Sequence, residues 1–275
     1  MENLDSKTVE GFGKEWKEFN QKGLSAEERK FLYDKYFNIF PWDSLPPNAS
    51  GIDVGCGSGR WAVEVAPRVG KLICADASGE ALEVAKSNLS SFKNCHYIKS
   101  SVDRLPVEDT SLDFAYSLGV LHHIPNTMEG IRSCVNTLKS GAPFLVYLYY
   151  RFDNKPFWYR MIWQVSELFR AIISKTPFFI RKQLCFLMAA LVYYPLAKIA
   201  KLFEKFGFVV DNFPLSSYRD VSFYSMKTDA LDRFGTRLEQ RFTKQEIEKM
   251  LIDAGLENIL FSDSFPFWVA LGYKK

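Results

Sequence analysis

The segment that most constrains the fold is residues 51–59, with the sequence Gly51-Ile-Asp-Val-Gly55-Cys-Gly57-Ser-Gly59. An apolar run leads into three alternating glycines, and a helical pattern follows. Because glycine has no Cβ, such a loop can turn sharply and its backbone can approach a ligand closely. A strand, a glycine loop and a helix in this order are typical of a parallel sheet whose ligands bind beyond the carboxyl ends of its strands.

The spacing and charge of this segment indicate the kind of ligand. The glycines follow GxGxG, whereas dinucleotide-binding domains use GxGxxG with the pyrophosphate at the helix N-terminus. Asp53 precedes the loop, and its charge favours an ammonium or sulfonium group over a phosphate. Asp76 ends the next predicted strand, where a carboxylate can accept hydrogen bonds from both hydroxyls of a ribose. The pattern therefore disfavours a nicotinamide dehydrogenase.

Strand and helix patterns alternate between about residues 50 and 150, which predicts βαβ units and a parallel sheet. The predicted strands are residues 51–54, 71–75, 95–99, 112–117 and 143–149. Near the end, Thr243-Lys-Gln-Glu246 is a capping box that predicts a helix to about Ala254. Residues 256–261 and 267–273 then predict an antiparallel pair at the edge of the sheet.

Composition excludes several other classes of protein. The 275 residues are 47% hydrophobic and 24% charged, with a net charge of +3, as in ordinary globular proteins. The five cysteines are widely spaced and include no CxxC pair. We therefore expect neither a disulfide framework nor a metal site, and a reducing, cytoplasmic location. The polar N-terminal segment does not resemble a signal peptide.

In combination, these residues resemble the nucleotide-binding half of the class I S-adenosylmethionine-dependent methyltransferases. The resemblance rests on Asp53, the glycine loop, Asp76, the Leu105-Pro106 pair and the run from Leu112 to Pro125. It covers residues 48–150 well and residues 243–275 moderately. It implies an α/β, Rossmann-like fold with a seven-stranded, mostly parallel sheet, a helical insertion after the fifth strand, and S-adenosylmethionine as the cofactor.

The resemblance also implies which residues bind the cofactor. The methionine part lies against Asp53, Gly55, Cys56, Gly57 and Gly59; the ribose against Asp76; the adenine against Ala77, Ser78, Ser101, Val102 and Asp103; and Ser117 and Leu118 complete the site. Ser101 stands where many members of the family have an aspartate that binds the adenine amino group. An N-terminal segment often closes over the cofactor in this family, which suggests such a role for Trp16 as an alternative to core packing.

Two adjacent histidines, His122 and His123, follow the fourth predicted strand. In relatives that methylate sugar hydroxyls a histidine of this loop is the general base, so one of the pair is the expected catalytic residue. In other relatives these histidines only pack or shape the site. The expected acceptor contacts are Tyr147, Tyr149, Arg151, Tyr218 and Tyr224.

The predicted organisation has four parts: an N-terminal helical lid (residues 1–47), the cofactor-binding core (48–152), an inserted helical substrate cap (153–240) and the C-terminal part of the core (241–275). The insertion is rich in aromatic residues, and its helices are expected to break near Pro177 and to kink at Pro195. Residues 155–206 contain nine Lys and Arg but two Glu, a charge of +7, so the rest of the chain carries −4. The apolar run 184–197 is shorter than the roughly 20 residues that a membrane span needs.

Three interpretations of the insertion stay open. It can be an ordinary helical cap; a cap for an anionic acceptor, with Arg160, Arg181 and Lys182 as phosphate contacts; or a peripheral attachment to an anionic membrane. Nucleic acid is disfavoured, because the total charge is small and no nucleic-acid motif is present.

The predicted function is methyl transfer from S-adenosylmethionine to an O or N atom of a small molecule or glycoconjugate. The alternatives are a non-catalytic scaffold that binds a partner and a membrane-associated methyltransferase with a lipid-linked acceptor.

Overall fold

The computed structural model describes residues 3–275 and forms two compact units. The first unit, here called the core unit, comprises the described part of Met1–Gln21 together with Arg29–Tyr150 and Leu238–Lys275. The second, here called the helical unit, comprises Lys22–Glu28 and Arg151–Arg237.

Ten α-helices are present in residues 3–275. They are α1 (Ser6–Glu18), α2 (Ala26–Phe37), α3 (Ala62–Val65), α4 (Gly79–Asn88), α5 (Thr127–Asn136), α6 (Phe157–Ile173), α7 (Phe178–Met188), α8 (Tyr194–Lys205), α9 (Phe223–Gly235) and α10 (Lys244–Asp253). The capping box predicted at Thr243 is confirmed, since its side chain and that of Glu246 each bond the other residue's backbone N–H.

The same residues contain a seven-stranded sheet with the order β3-β2-β1-β4-β5-β7-β6. The strands are β1 (Ser50–Val54), β2 (Lys71–Asp76), β3 (Cys95–Lys99), β4 (Phe114–Leu118), β5 (Pro143–Tyr147), β6 (Leu256–Phe261) and β7 (Val269–Lys274). Strands β1 to β5 are parallel, and β7 is antiparallel to both β5 and β6. The predicted fold class is therefore confirmed, and the predicted strands begin and end within two residues of the observed ones.

The sheet separates two apolar clusters in the core unit. One contains Leu72, Phe114 and Leu145, and the other contains Ile52 and Val146. These residues alternate along their strands because successive side chains of a strand point to opposite faces. Since both faces are buried, the strands are apolar on both sides, and the polar residues gather at the strand ends.

The helical unit contains α6 to α9. The predicted break before Pro177 is observed, because α6 ends at Ile173 and α7 begins at Phe178. A π-helical turn, Ala189–Tyr193, joins α7 to α8 immediately before Pro195. Such a turn shifts the hydrogen-bond pattern by one residue, which allows the chain to continue through a residue that lacks a backbone N–H.

The helix Phe178–Lys205, formed by α7, the π-turn and α8, is 28 residues long. By length and composition alone it is long and apolar enough to cross a membrane. The apolar run 184–197 is only part of this helix, which continues through charged residues such as Lys182 and Lys198.

Candidate active site

The glycine loop joins β1 to the helical segment that follows it. Gly55, Gly57 and Gly59 have φ angles of 78°, 53° and 75°, a left-handed region that strains other residues. A Cβ at Gly55 would lie 2.4 Å from Val120 Cγ1, and one at Gly57 would lie 2.8 Å from the indole Nε1 of Trp16. The loop therefore requires glycine both for its backbone and for the close approach of its neighbours.

Helix α1 covers this loop. Besides the Trp16 contact with Gly57, the ring of Phe12 lies 5.0 Å from that of His123. The start of α1 is attached by Asn3, whose side chain donates to the Asn126 carbonyl at 2.7 Å and accepts from the Asn126 N–H at 2.8 Å. The N-terminal helix thus contacts both the glycine loop and the histidine loop.

Asp76, at the end of β2, connects the loop to α4. Its carboxylate accepts hydrogen bonds from the Gly57 N–H at 2.9 Å and the Ser78 N–H at 2.8 Å. Burial raises the pKa of Asp76, and these two hydrogen bonds act against that rise. A carboxylate has about four lone-pair sites, so two backbone bonds leave capacity for a ligand hydroxyl.

Asp53 lies on β1, which is the neighbour of β2 in the middle of the sheet. In the register of β1 with β4, Asp53 is paired with Tyr116, and the Tyr116 hydroxyl donates to Asp53 Oδ2 at 3.0 Å. Burial raises the pKa of Asp53 to about 8, although the hydrogen bond from Tyr116 lowers it. A carboxyl in this environment is mostly protonated at neutral pH unless a cation lies beside it.

The turn after β3 carries the residues expected to meet adenine. The Asn3 N–H donates to Asp103 Oδ2 at 3.1 Å. Burial raises the pKa of Asp103, but hydrogen bonds from the Asn3 N–H and the Ser101 hydroxyl outweigh it and hold the pKa below its usual value. The other oxygen, Oδ1, is buried and has no hydrogen-bond partner among the described residues. This oxygen is an unused acceptor two residues from Ser101.

His122 and His123 form a short 3-10 turn after β4 and are both buried. His122 stacks on Tyr149 with 3.9 Å between ring centroids, and its Nδ1 accepts from the Tyr149 N–H at 3.4 Å. Burial, His123 and Arg241 hold the pKa of His122 well below its usual value, so the ring is neutral with its proton on Nε2. That Nε2 has no partner within residues 3–275.

His123 has the opposite tautomer. Its Nδ1 lies 2.7 Å from the Leu238 carbonyl oxygen, which can only accept a hydrogen bond, so Nδ1 carries the proton in the neutral ring. The lone pair is therefore on Nε2. The two neutral rings therefore differ in which nitrogen carries the lone pair: Nδ1 in His122 and Nε2 in His123.

The segment 238–242 was not anticipated from the sequence. The Gln240 N–H donates to the His122 carbonyl at 2.9 Å, and its side chain donates to the Ile124 carbonyl at 2.7 Å. The Arg241 guanidinium pairs with Glu239 at 2.7 Å and donates to the Tyr150 carbonyl at 3.1 Å. This segment holds the histidine loop in place, but it is more than 110 residues away in the chain, and no local pattern marks it.

The other expected site residues fall into two groups. In the core unit, the Ser117 hydroxyl bridges β4 to the Val54 carbonyl at 2.9 Å, and Ser78 caps α4. Cys56, Ala77, Val102, Leu118, Tyr147 and Tyr149 belong to the same unit. Arg151, Tyr218 and Tyr224 belong to the helical unit, where Tyr218 packs on Tyr193 with 5.1 Å between ring centroids. All five cysteines within the described part of the chain are free and buried, and no group suited to a metal ion occurs there.

Comparison with known proteins identifies the core unit. Residues 52–146 match a family model described as a methyltransferase domain. The fold is similar to that of a solved S-adenosylmethionine-dependent methyltransferase of Thermotoga maritima, with a TM-score of 0.51, 15% identity, and coverage of 96% of this chain and 100% of the other. These residues form a class I methyltransferase domain. The cofactor of this class is S-adenosylmethionine.

Curated relatives match the methyltransferase domain over part of their length. A sterol 4-C-methyltransferase of Caenorhabditis elegans is 27% identical over 106 residues, which are 38% of this chain and 32% of that protein. A ubiquinone biosynthesis O-methyltransferase of Nitrosomonas europaea is 36% identical over 93 residues, 33% of this chain and 40% of that protein. The chain thus aligns with less than half the length of these two relatives.

The residues of the methyltransferase domain suit this cofactor. The glycine loop lacks side chains where a ligand must approach, Asp76 has spare acceptor capacity, and Asp103 Oδ1 is a buried acceptor without a partner within residues 3–275. The two carboxyl groups of Asp53 and Asp76 lie on adjacent strands, β1 and β2.

Proposed function

We propose that the protein transfers a methyl group from S-adenosylmethionine to an oxygen or nitrogen atom of a small molecule or glycoconjugate. The observation that carries this proposal is the pair of acids around the glycine loop: Asp53 buried beside it, and Asp76 bonded to the Gly57 N–H. The cofactor supplies an electrophilic methyl group on a sulfonium and leaves as a neutral thioether, so the protein's task is mainly to position the reactants and to remove a proton.

In this proposal Asp76 binds the ribose hydroxyls, and Asp53 faces the cationic part of the cofactor. Asp103 Oδ1 accepts from the adenine amino group, which compensates for Ser101 at the position where relatives carry an aspartate. The unused Oδ1 supports this role. Trp16 and α1 cover the bound cofactor and exclude water from it, in keeping with the contact between Trp16 and Gly57.

His123 is the proposed general base, and His122 is a positioning residue. The bond from His123 Nδ1 to the Leu238 carbonyl fixes the tautomer that leaves the lone pair on Nε2, where the acceptor's proton would be received. His122 has a strongly lowered pKa and accepts on Nδ1, so it cannot take that proton efficiently. A well-placed base contributes about 10²–10⁴-fold to the rate.

Binding of S-adenosylhomocysteine, measured by calorimetry, tests the cofactor site. Asp76→Ala should abolish binding, whereas Asp109→Ala, which removes an exposed acid after β3, should leave it unchanged. Normal binding by Asp76→Ala would contradict the assignment. Absence of binding by the wild type would refute the proposed function.

Transfer of a labelled methyl group to a panel of phenols, amines and sugars tests the reaction. His123→Gln should lower kcat by about 10²–10⁴-fold and leave S-adenosylhomocysteine binding intact, since glutamine cannot take the proton. Full activity in His123→Gln would refute the base assignment. A wild type that bound the cofactor but transferred no methyl group to this panel or to a membrane extract would instead favour a scaffold.

A lipid-linked acceptor is the second candidate. It is favoured by the many exposed apolar side chains of the helical unit, among them Phe157, Leu168 and Leu191. The names of the relatives, a sterol methyltransferase and a ubiquinone biosynthesis enzyme, point the same way. Arg160, Arg181 and Lys182 are the proposed contacts for an anionic group on such an acceptor. Labelled transfer into an organic-solvent extract of membranes would distinguish it from a water-soluble acceptor.

A further inference from the structure

Helix α6 is amphipathic, but its apolar face is exposed, whereas a helix that packs on a protein core buries its apolar face. Its apolar residues Trp158, Ile162, Val165, Leu168 and Phe169 are exposed. They recur every three or four positions, with Leu168 and Phe169 adjacent, and so form one stripe along the helix. Large apolar side chains normally make up the buried face of such a helix, so this stripe is an apolar surface without a partner among the described residues.

Three polar residues of α6, Ser166, Glu167 and Arg170, lie on its partly buried face, within the helical unit. Glu167 forms ion pairs with Arg170, at 2.8 Å, and with Arg233 of α9. Burial raises the pKa of Glu167, but the two arginines outweigh it and lower the pKa. The Ser166 hydroxyl also accepts from Arg233, at 3.2 Å. The inward face of α6 is therefore fixed by charge pairs, and the helix cannot turn its apolar stripe inward without breaking them.

The helix Phe178–Lys205 adds to the same kind of surface. Its buried residues are Cys185, Ala189, Tyr193, Ala197 and Ala200, mostly small and spaced by three or four. Many of its large apolar residues are exposed: Phe179 is 73% exposed and Leu191 72%, and Phe206, just after the helix, is 71% exposed. In the loop that follows, Val209 is 88% exposed. The exposed side chains of α6, of this helix and of the loop 206–209 are here called the outer apolar face.

Basic residues accompany the outer apolar face. Lys198, Lys201 and Lys205 follow one another at helical spacing in α8 and are exposed, as is Lys175 between α6 and α7. With the other residues of 155–206 they give the net charge of +7. A second copy of the chain would place this positive charge against itself, whereas anionic lipid headgroups would neutralise it.

The positions of the charged residues indicate how deeply the helix Phe178–Lys205 can enter a bilayer. The uncharged run 183–197 contains fifteen residues, and at 1.5 Å per residue it is about 22 Å long, less than the roughly 30 Å of a bilayer's hydrocarbon core. Cations stand at both ends of this run, at Lys182 and Lys198. The helix is therefore suited to lie in the plane of the interface with its apolar side chains among the acyl chains.

We infer that the helical unit binds the surface of an anionic lipid bilayer, with the outer apolar face inserted and the lysines at the headgroups. This inference does not depend on methyl transfer, because it concerns the helical unit alone and requires no acceptor or cofactor.

Flotation with lipid vesicles tests it directly. The full-length wild type should bind vesicles of phosphatidylcholine with phosphatidylglycerol at low salt, bind pure phosphatidylcholine weakly, and lose affinity as salt rises. Absence of binding to anionic vesicles at low salt would overturn the inference. A stable dimer in light scattering that does not bind vesicles would also overturn it, since a second copy would then cover the outer apolar face. Binding to an acidic protein without binding to vesicles would overturn it as well.

Two matched pairs of variants separate the apolar from the electrostatic contribution. Leu168→Ser with Leu191→Ser and Phe206→Ser should weaken vesicle binding by about a hundredfold or more. The control Ile252→Ser with Leu260→Ser changes exposed apolar residues of the core unit and should have no effect. Equal loss in both would overturn the inference. Circular dichroism checks that each variant is folded.

For charge, Lys175→Gln with Lys198→Gln and Lys205→Gln should reduce binding on the order of a hundredfold at low salt. The control changes three exposed lysines of the core unit, Lys71, Lys93 and Lys249, to Gln and should bind as the wild type does. Resistance of the bound wild type to alkaline carbonate would indicate a spanning helix and contradict the interfacial position.

Discussion

The raised pKa of Asp53 predicts that this residue makes the protein less stable as pH rises. Asp53→Asn replaces the carboxyl with an amide of nearly the same shape, whose oxygen can still accept from the Tyr116 hydroxyl. The folded-state pKa is about 8, whereas an aspartate in an unfolded chain has a pKa of about 3.9. Between these values the folded protein holds a proton that the unfolded chain has lost.

The magnitude follows from this difference. Protonation of Asp53 contributes to the free energy of unfolding. This contribution is fully present below the pKa of the residue in the unfolded chain and is lost as pH rises through its pKa in the folded protein. Relative to Asp53→Asn, the free energy of unfolding of the wild type should therefore fall by roughly 1.4 kcal/mol for each pH unit between pH 5 and 7. Denaturant unfolding at several pH values, with Asp109→Asn as the exposed control, measures it. Parallel curves for the wild type and Asp53→Asn would refute the reasoning.

The same proton reports on the proposed cofactor site. With a pKa of about 8, Asp53 is protonated in about 90% of the molecules at pH 7. A cation bound beside it should lower its pKa and release that proton. Calorimetry of S-adenosylmethionine binding, without an acceptor, in Tris and in phosphate should therefore show different heats, and Asp53→Asn should reduce the difference. Identical heats for the wild type in both buffers would place the cationic group elsewhere.

Three further predictions concern single contacts. Gly57→Ala should weaken S-adenosylhomocysteine binding at least about tenfold in calorimetry, because φ is 53° and the new Cβ would meet Trp16; unchanged affinity would contradict it. His122 should titrate at a lower pH than a free histidine when its imidazole is followed by NMR, because burial lowers its pKa; titration at the pH of a free histidine would contradict it. Arg233→Met should destabilise the helical unit in thermal unfolding, since Glu167 would lose a partner, while Arg132→Met, whose partner Glu129 is exposed, should not.

The sequence predicts the core unit well for a physical reason. Glycines with positive φ and acids at strand ends, such as Gly57 and Asp76, are local requirements of the fold, and their order along the chain already places them at one edge of a parallel sheet. The contact of Gln240 with the histidine loop is different in kind, because it joins distant segments through backbone groups that every residue possesses.

The helical unit shows a second limit of sequence reasoning. Periodicity identifies which residues of α6 share a face, but not whether that face points to the interior or to the outside. The direction is set by Arg233, more than 60 residues later, through its ion pair with Glu167. The many aromatic residues of the insertion were therefore as compatible with an ordinary helical cap as with the exposed apolar surface that the structure has.

The attachment of α1 through Asn3 has a consequence for the timing of the catalytic cycle. The Asn3 side chain and backbone together join α1 to Asn126 and Asp103, on two different loops. In the proposed arrangement, with the cofactor beneath Trp16, release of the spent cofactor would require these bonds to open. The residence time of the product should therefore depend on the fastening of the first helix, so that turnover can be limited by opening while the methyl transfer itself is fast.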